Sequence, residues 1–181
     1  MSMRKFAFKA GAVAVALGAS VALGAMAFAE SPKLGKPITQ ADLAEWDINV
    51  FPDGTNLPPG GGKSADGAKI YAEKCVACHG EGGKGGVAAR LIGGPPKATL
   101  DGGKTIANYW PYATTVFDFI RRSMPWTQPR SLTDQEVYAL TAYILAENKL
   151  IGESDEMNAS TLPKVQMPNR GNFVIRFPDR I

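Results

Sequence analysis

Cys75-Val76-Ala77-Cys78-His79 decides how the rest of this sequence is read. Two thiols three positions apart can each form a thioether to one of the two vinyl groups of a single porphyrin. The adjacent imidazole is then held beneath the iron as a proximal ligand, and Cys-x-x-Cys-His is the attachment motif for c-type haem. Three other readings use the same residues. A structural zinc takes four Cys or His ligands, whereas the chain has 2 Cys and 1 His in all. A redox-active dithiol opens a helix after a strand, but Ala68, Ile70, Tyr71 and Ala72 indicate a helix that runs into Cys75 instead. A buried histidine beside an ordinary disulfide is the plainest of the three. One covalently attached haem c is the expected cofactor.

A low-spin electron-transfer haem takes a second axial ligand, and without a second histidine the natural donor is a Met thioether. Of the 6 Met, Met124, Met157 and Met167 lie beyond the N-terminal leader. Met124 sits in Ser123-Met124-Pro125-Trp126, between two expected helices and 45 residues after His79, where a loop can cross the far haem face. The alternative is that it fills a gap in the core. Met157 and Met167 follow the last expected helix and are expected to pack within the tail. The candidate cofactor-binding residues are therefore Cys75, Cys78, His79 and Met124, with His79 and Met124 on the iron. No residue is expected to act as acid, base or nucleophile.

Leu91, Ile92, Phe117, Ile120, Leu132 and Tyr143 are candidates for the haem lining, though each serves equally as plain core. Tyr109, Trp110 and Arg90 are candidate donors to the propionates, with a solvated charge as the alternative for Arg90. A metal-bound histidine gives its other ring N–H to a nearby acceptor, here expected at the Gly93-Gly94-Pro95 turn.

Outward from the motif the chain reads as four segments. Residues 1–29 have a basic start (Arg4, Lys5, Lys9), an Ala- and Gly-rich apolar run, and Ala27-Phe28-Ala29 at the end, the pattern of a secretory signal cleaved between Ala29 and Glu30. A retained anchor is the competing reading, but an anchor wants about 20 strongly apolar residues. Export to the bacterial periplasm is expected, with no membrane span in the mature protein. Residues 30–62 are rich in turn formers, including Pro52-Asp53-Gly54 and Leu57-Pro58-Pro59-Gly60, and read as an extension draped over the domain or as a linker. Within it, Gln40–Trp46 is expected to form a helical turn that lays Leu43 and Trp46 on another surface.

Residues 63–150 form the expected haem domain. Ser64 is the expected N-cap of its first helix. The glycines between Gly80 and Gly103 indicate a long wrapping loop. A second helix is expected over Thr115–Ser123, with Thr115 and Asp118 as cap and N3 residues. A third follows the capping box Thr133-Asp134-Gln135-Glu136 as an amphipathic helix reaching about Asn148. Residues 151–181 read as an irregular tail with one short strand over Phe173–Phe177. The pattern is all-α.

The 181 residues include 45% hydrophobic ones, as in ordinary globular proteins. Of 20 Lys and Arg, three lie in the leader, so 17 basic residues stand against 17 acidic ones in the remainder. That balance gives no case for nucleic-acid binding, which needs a basic excess gathered on one face.

Residues from about Ala65 to Leu150 resemble the class I monohaem cytochromes c. Trp46-Asp47-Ile48-Asn49-Val50-Phe51-Pro52-Asp53-Gly54, Asn108-Tyr109-Trp110-Pro111-Tyr112-Ala113-Thr114-Thr115, Met124-Pro125, Tyr138-Ala139-Leu140-Thr141-Ala142-Tyr143-Ile144 and Met167-Pro168-Asn169-Arg170 carry a closer likeness. They resemble the SoxD- and SorU-type cytochrome subunits of periplasmic sulfane and sulfite dehydrogenases. Larger members have two haem domains; this chain has one motif. The resemblance implies a one-electron carrier that accepts electrons from a molybdenum-containing sulfite or sulfane dehydrogenase and passes them to a downstream cytochrome or oxidase. A general carrier serving other dehydrogenases or reductases, and a haem enzyme with a labile sixth ligand, are the alternatives.

Overall fold

Ten consecutive residues, Val137 to Ala146, are buried along the helix Asp134–Glu147, and the structure is organised around them. This computed structural model describes residues 34–44, 46–94 and 103–174. The leader and its cleavage site lie outside the described residues, as do Pro95 and the last three residues of the expected terminal strand; Phe173 and Val174 are not in a strand. The chain divides into a unit ending at Asp42 and a unit from Leu43 to Ile181. A short helix, α1, covers Gln40–Ala44.

The elements that follow are β1 (Gly61–Lys63), α2 (Ser64–Lys74), α3 (Val76–His79), α4 (Ile106–Tyr109), α5 (Ala113–Ser123), α6 (Asp134–Glu147) and β2 (Glu156–Asn158). Single 3-10 turns lie at Glu81–Gly83, Leu162–Lys164 and Arg170–Asn172. The fold is the expected helical one with a small addition: β1 and β2 pair antiparallel, Gly62 opposite Met157.

The capping box of α6 is present as read. Thr133 Oγ1 accepts from the Glu136 N–H at 3.3 Å, and Glu136 Oε2 accepts from the Thr133 N–H at 2.8 Å. The amphipathic expectation for this helix is corrected. α2, α5 and both strands surround it, and a helix enclosed on all sides is apolar all round.

α2 and β1 cross α6 at a point made by missing side chains. A Cβ on Gly67 would overlap the Ala139 carbonyl, and one on Gly62 would overlap the Ala139 backbone nitrogen. Backbones approach this closely only where no Cβ intervenes. Tyr71 and Tyr143 pack beside the crossing with ring centroids 5.0 Å apart, and Lys74 pairs with Glu136 at 2.6 Å.

Two other cap expectations move. Lys63, extended at φ −113° and ψ 156°, is the N-cap of α2, so Ser64 is already helical and buried. The strand runs into the helix without an intervening turn. α5 begins at Ala113, two residues before the expected cap, and Tyr112 supplies no side-chain cap. Asp118 is buried and does not serve the helix start: Oδ1 accepts the Val50 N–H at 3.2 Å and Oδ2 pairs with Arg122 at 2.8 Å.

Those contacts tie residues 49–58 to the helices. Arg122 donates to Asn49 Oδ1 at 2.9 Å, and the Tyr138 hydroxyl donates to the Pro58 carbonyl at 2.8 Å. Trp46 does not dock as expected. α1 ends at Ala44, the Trp46 N–H turns onto the Leu43 carbonyl, and the ring is 81% exposed.

The tail reaches the main core instead of packing on itself. Met157, Leu162 and Met167 are buried in the same cluster as Phe117, Tyr138 and Leu145. Asn169 secures it by donating from Nδ2 to the Tyr109 carbonyl at 2.6 Å.

Candidate functional site

Cys75 is the joint between α2 and α3 and turns the chain there at φ −123°, ψ −32°. Its N–H donates to the Tyr71 carbonyl at 2.9 Å, and its own carbonyl accepts from Cys78 at 3.1 Å and His79 at 3.0 Å. One helical turn thus sets the spacing of both thiols and the imidazole. Neither cysteine is in a disulfide; Cys75 is half-buried and Cys78 exposed. Burial pushes the free Cys75 thiol up to about 11, the opposite direction from the lowering that activates a dithiol oxidoreductase. The reading of these residues as a histidine beside a disulfide is not the arrangement found.

His79 Nδ1 lies 2.8 Å from the Ala89 carbonyl. A carbonyl oxygen only accepts, so Nδ1 carries the hydrogen and Nε2 is left with its lone pair for a metal. The expected backbone acceptor exists but comes from Ala89 rather than the Gly93-Gly94-Pro95 turn. The loop after the motif folds straight back on it. The Gly85 N–H donates to the His79 carbonyl at 2.8 Å and the Ala88 N–H to the Cys78 carbonyl at 2.9 Å, which brings Ala89 beside the ring. Gly80, at φ +75°, permits the reversal, since a Cβ there would overlap the Gly85 carbonyl. The Tyr71 hydroxyl donates to the Gly80 carbonyl at 2.8 Å, and burial, aided by the neighbouring Cys75, raises that phenol to about 12.

Met124 closes α5 as its C-cap, with its N–H on the Ile120 carbonyl at 3.1 Å. Its side chain is half-buried against the same apolar core that Cys75, Val76, Leu91, Ile92 and Trp110 edge. The following Trp126 is 82% exposed.

The candidate lining residues divide in two. Leu91 and Ile92 are half-buried at the core's edge, whereas Phe117, Ile120, Leu132 and Tyr143 are buried within it. Phe117 stacks on Tyr138 with centroids 4.4 Å apart. Of the candidate propionate donors, Trp110 packs edge-on against Phe119, and Tyr109 packs edge-on against Phe173 beneath the Lys104 ammonium. Arg90 is exposed on the wrapping loop.

Sequence reasoning missed three polar residues that hold this loop. Thr105 and Asn108 form a buried capping box at α4, with the Thr105 N–H on Asn108 Oδ1 at 2.7 Å, and the Thr105 hydroxyl donates to the Gly93 carbonyl. Asn148, at the end of α6, bonds the loop backbone at Leu91 and Gly93. The spacing of Thr105 and Asn108 was a legible capping signal; nothing local marked Asn148.

The residues fit a covalent haem. The two thiols are unbridged on one turn, the imidazole has one nitrogen fixed and the other free, and a thioether stands at the edge of the apolar core. Among the described residues no three His, Cys, Asp or Glu side chains converge as a site for a bare metal ion.

The cytochrome c family model matches residues 64–148. Thiosulfate dehydrogenase of Stutzerimonas stutzeri (strain A1501) is 34% identical over 90 residues, which are 48% of this chain and 28% of that protein. The chain thus spans just over a quarter of that relative. Among solved structures, the sulfane dehydrogenase SoxCD from Paracoccus pantotrophus matches with a TM-score of 0.74 at 34% identity, over 83% of this chain and 73% of that one. Likeness of that extent reaches beyond the haem motif into the flanking segments, and the chain belongs to the cytochrome c family, with the class I fold and the covalently bound haem c of that family.

Proposed function

We propose that this cytochrome is a periplasmic one-electron carrier that accepts electrons from a molybdenum-containing sulfane or sulfite dehydrogenase and passes them to a downstream cytochrome or oxidase. The observation that carries the reading is the pairing of the His79–Ala89 bond with the unbridged Cys75 and Cys78 on one turn. Similarity to SoxCD supports the choice of a sulfur dehydrogenase as donor. The basic start, apolar run and Ala27-Phe28-Ala29 of residues 1–29 support export.

In this reading Cys75 and Cys78 anchor the cofactor by thioethers, so the protein keeps it outside the cytoplasm. His79 would offer Nε2 to the iron, with the Ala89 carbonyl fixing the ring's tautomer and orientation. Met124, at the end of α5, would offer its thioether as the second ligand. Bound in this way, haem c supplies a one-electron ferric–ferrous couple, tuned by its axial ligands and their hydrogen bonds. The chain's own work is to bind, orient and partly bury, with no proton transfer by a side chain.

The test is rapid mixing of the oxidised holoprotein with a purified molybdenum sulfane or sulfite dehydrogenase and its substrate. Full reduction within the dehydrogenase's turnover time is the expected result. Reduction no faster than without the dehydrogenase, for both enzyme types, refutes the donor assignment.

A second reading, a haem enzyme acting on a sulfur compound, draws on the likeness to thiosulfate dehydrogenase over the haem domain. It requires oxidation of thiosulfate by this chain with only an electron acceptor added.

A further inference from the structure

The carbonyl that fixes His79 belongs to a loop, and a loop carbonyl stays in place only if the backbone on both sides is held. On the near side the Ala88 N–H bonds the Cys78 carbonyl at 2.9 Å, and on the far side the Leu91 and Ile92 N–H groups share the Gly83 carbonyl at 2.8 and 3.1 Å. A second far-side anchor comes from another element. Asn148, the C-cap of α6, donates from Nδ2 to the Leu91 carbonyl at 3.3 Å and to the Ile144 carbonyl at 2.9 Å, and accepts from the Gly93 N–H at Oδ1 at 2.9 Å.

We propose that Asn148 is a positioning residue for the axial imidazole, clamping residues 91–93 to the end of α6 so that the Ala89 carbonyl meets His79 Nδ1. This rests on His79 being the iron ligand. Capping the helix needs only the bond to Ile144. The other two bonds reach 55 and 57 residues back along the chain to a carbonyl and an N–H two residues apart. A primary amide suits that pair because one planar group carries both donor and acceptor. The Ile106 N–H on the Leu91 carbonyl and the Thr105 hydroxyl on the Gly93 carbonyl complete the clamp.

The bond from Nδ1–H to a fixed carbonyl makes the imidazole a stronger donor to the metal, which favours the ferric state. Freeing the 91–93 backbone lets the Ala89 carbonyl wander, weakens that bond and moves the equilibrium toward ferrous.

The experiment compares Asn148→Ala, Asn148→Asp and the core control Leu162→Ala as holoproteins with covalent haem verified on a denaturing gel. Leu162 is fully buried, and its side chain forms no hydrogen bond to the loop. The readouts are the reduction midpoint and the hyperfine-shifted ring-proton resonances of the axial histidine in the ferric protein. Asn148→Ala is expected to shift the reduction equilibrium toward ferrous by about tenfold, about 59 mV for one electron, and to move the histidine resonances. Asn148→Asp keeps the acceptor and loses the donor, so it shifts in the same direction by less, and it serves alone if Asn148→Ala does not mature. Leu162→Ala loses thermal stability with midpoint and resonances unchanged. Wild-type midpoint and resonances in the Asn148 variants, or an equal shift in Leu162→Ala, overturn the positioning role. Absence of axial-histidine resonances from the wild-type protein overturns the ligand assignment beneath it.

Discussion

Met124 is the residue whose role changes the chemistry most. As the C-cap of α5 its thioether is half-buried at the edge of the core, whereas Met157 and Met167 are enclosed in that core and have no free face. Replacing Met124 with Ala is expected to leave the covalent haem in place, to abolish the Met–iron charge-transfer absorption of the ferric protein and to lower the midpoint potential. An unchanged spectrum excludes Met124 as ligand. The candidate ligands were legible at this scale because Cys-x-x-Cys-His is contiguous and the methionines are few. Ala89 was not, since any carbonyl in the loop has the same chemistry and only the path of the backbone selects one.

At the scale of elements, the crossing of α2 over α6 is set by glycine. Gly67 lies where any Cβ would overlap the Ala139 carbonyl, and main chain cannot move aside as a flexible side chain can. Gly67→Ala is therefore expected to destabilise the holoprotein by about 1–3 kcal/mol, the usual cost of forcing a methyl group into a filled interior, against the small gain in helix propensity. A denaturant midpoint at or above that of the wild type refutes it. Helix existence was readable from apolar spacing and from the Thr133–Glu136 capping box, which needs only residues three apart. Helix starts were less so. At α5 the expected cap, Thr115, lies within the helix, and Asp118 gives its carboxylate to Arg122 one turn on and to the Val50 N–H, a partner 68 residues away that no local pattern announces. The pairing of β1 with β2 was unreadable for a related reason. Three residues at Gly61–Lys63 carry no strand pattern, and their partners lie 93 to 97 positions away.

At the scale of the whole molecule, residues 49–58, the helices and the tail meet around α6, and Tyr138 reports on that assembly. Its ring is fully buried against Phe117, its hydroxyl reaches Pro58, and burial, with Asp134 adding to it, raises the phenol to about 12. Tyr71, beside the haem motif, is raised as far. An unfolded tyrosine ionises near pH about 10. A folded pKa above the unfolded one gives stability that is complete below pH about 10 and is lost as pH climbs toward about 12. Melting temperature is thus expected to fall across that alkaline window, and Tyr138→Phe, having no proton to lose, is expected to show a shallower fall. Parallel declines in variant and wild type refute the linkage.

The sequence by itself determined the chemistry of this protein: which residues can attach a haem, which methionine stands between the two long C-terminal helices, and that helices enclose them. These are short-range matters of residue type and spacing. The tertiary structure decided which carbonyl steadies His79, which side chain clamps that loop, and that the tail completes the main core rather than one of its own. Each of those depends on backbone groups and apolar side chains far apart in sequence, whose partners are fixed only when the chain has closed around α6.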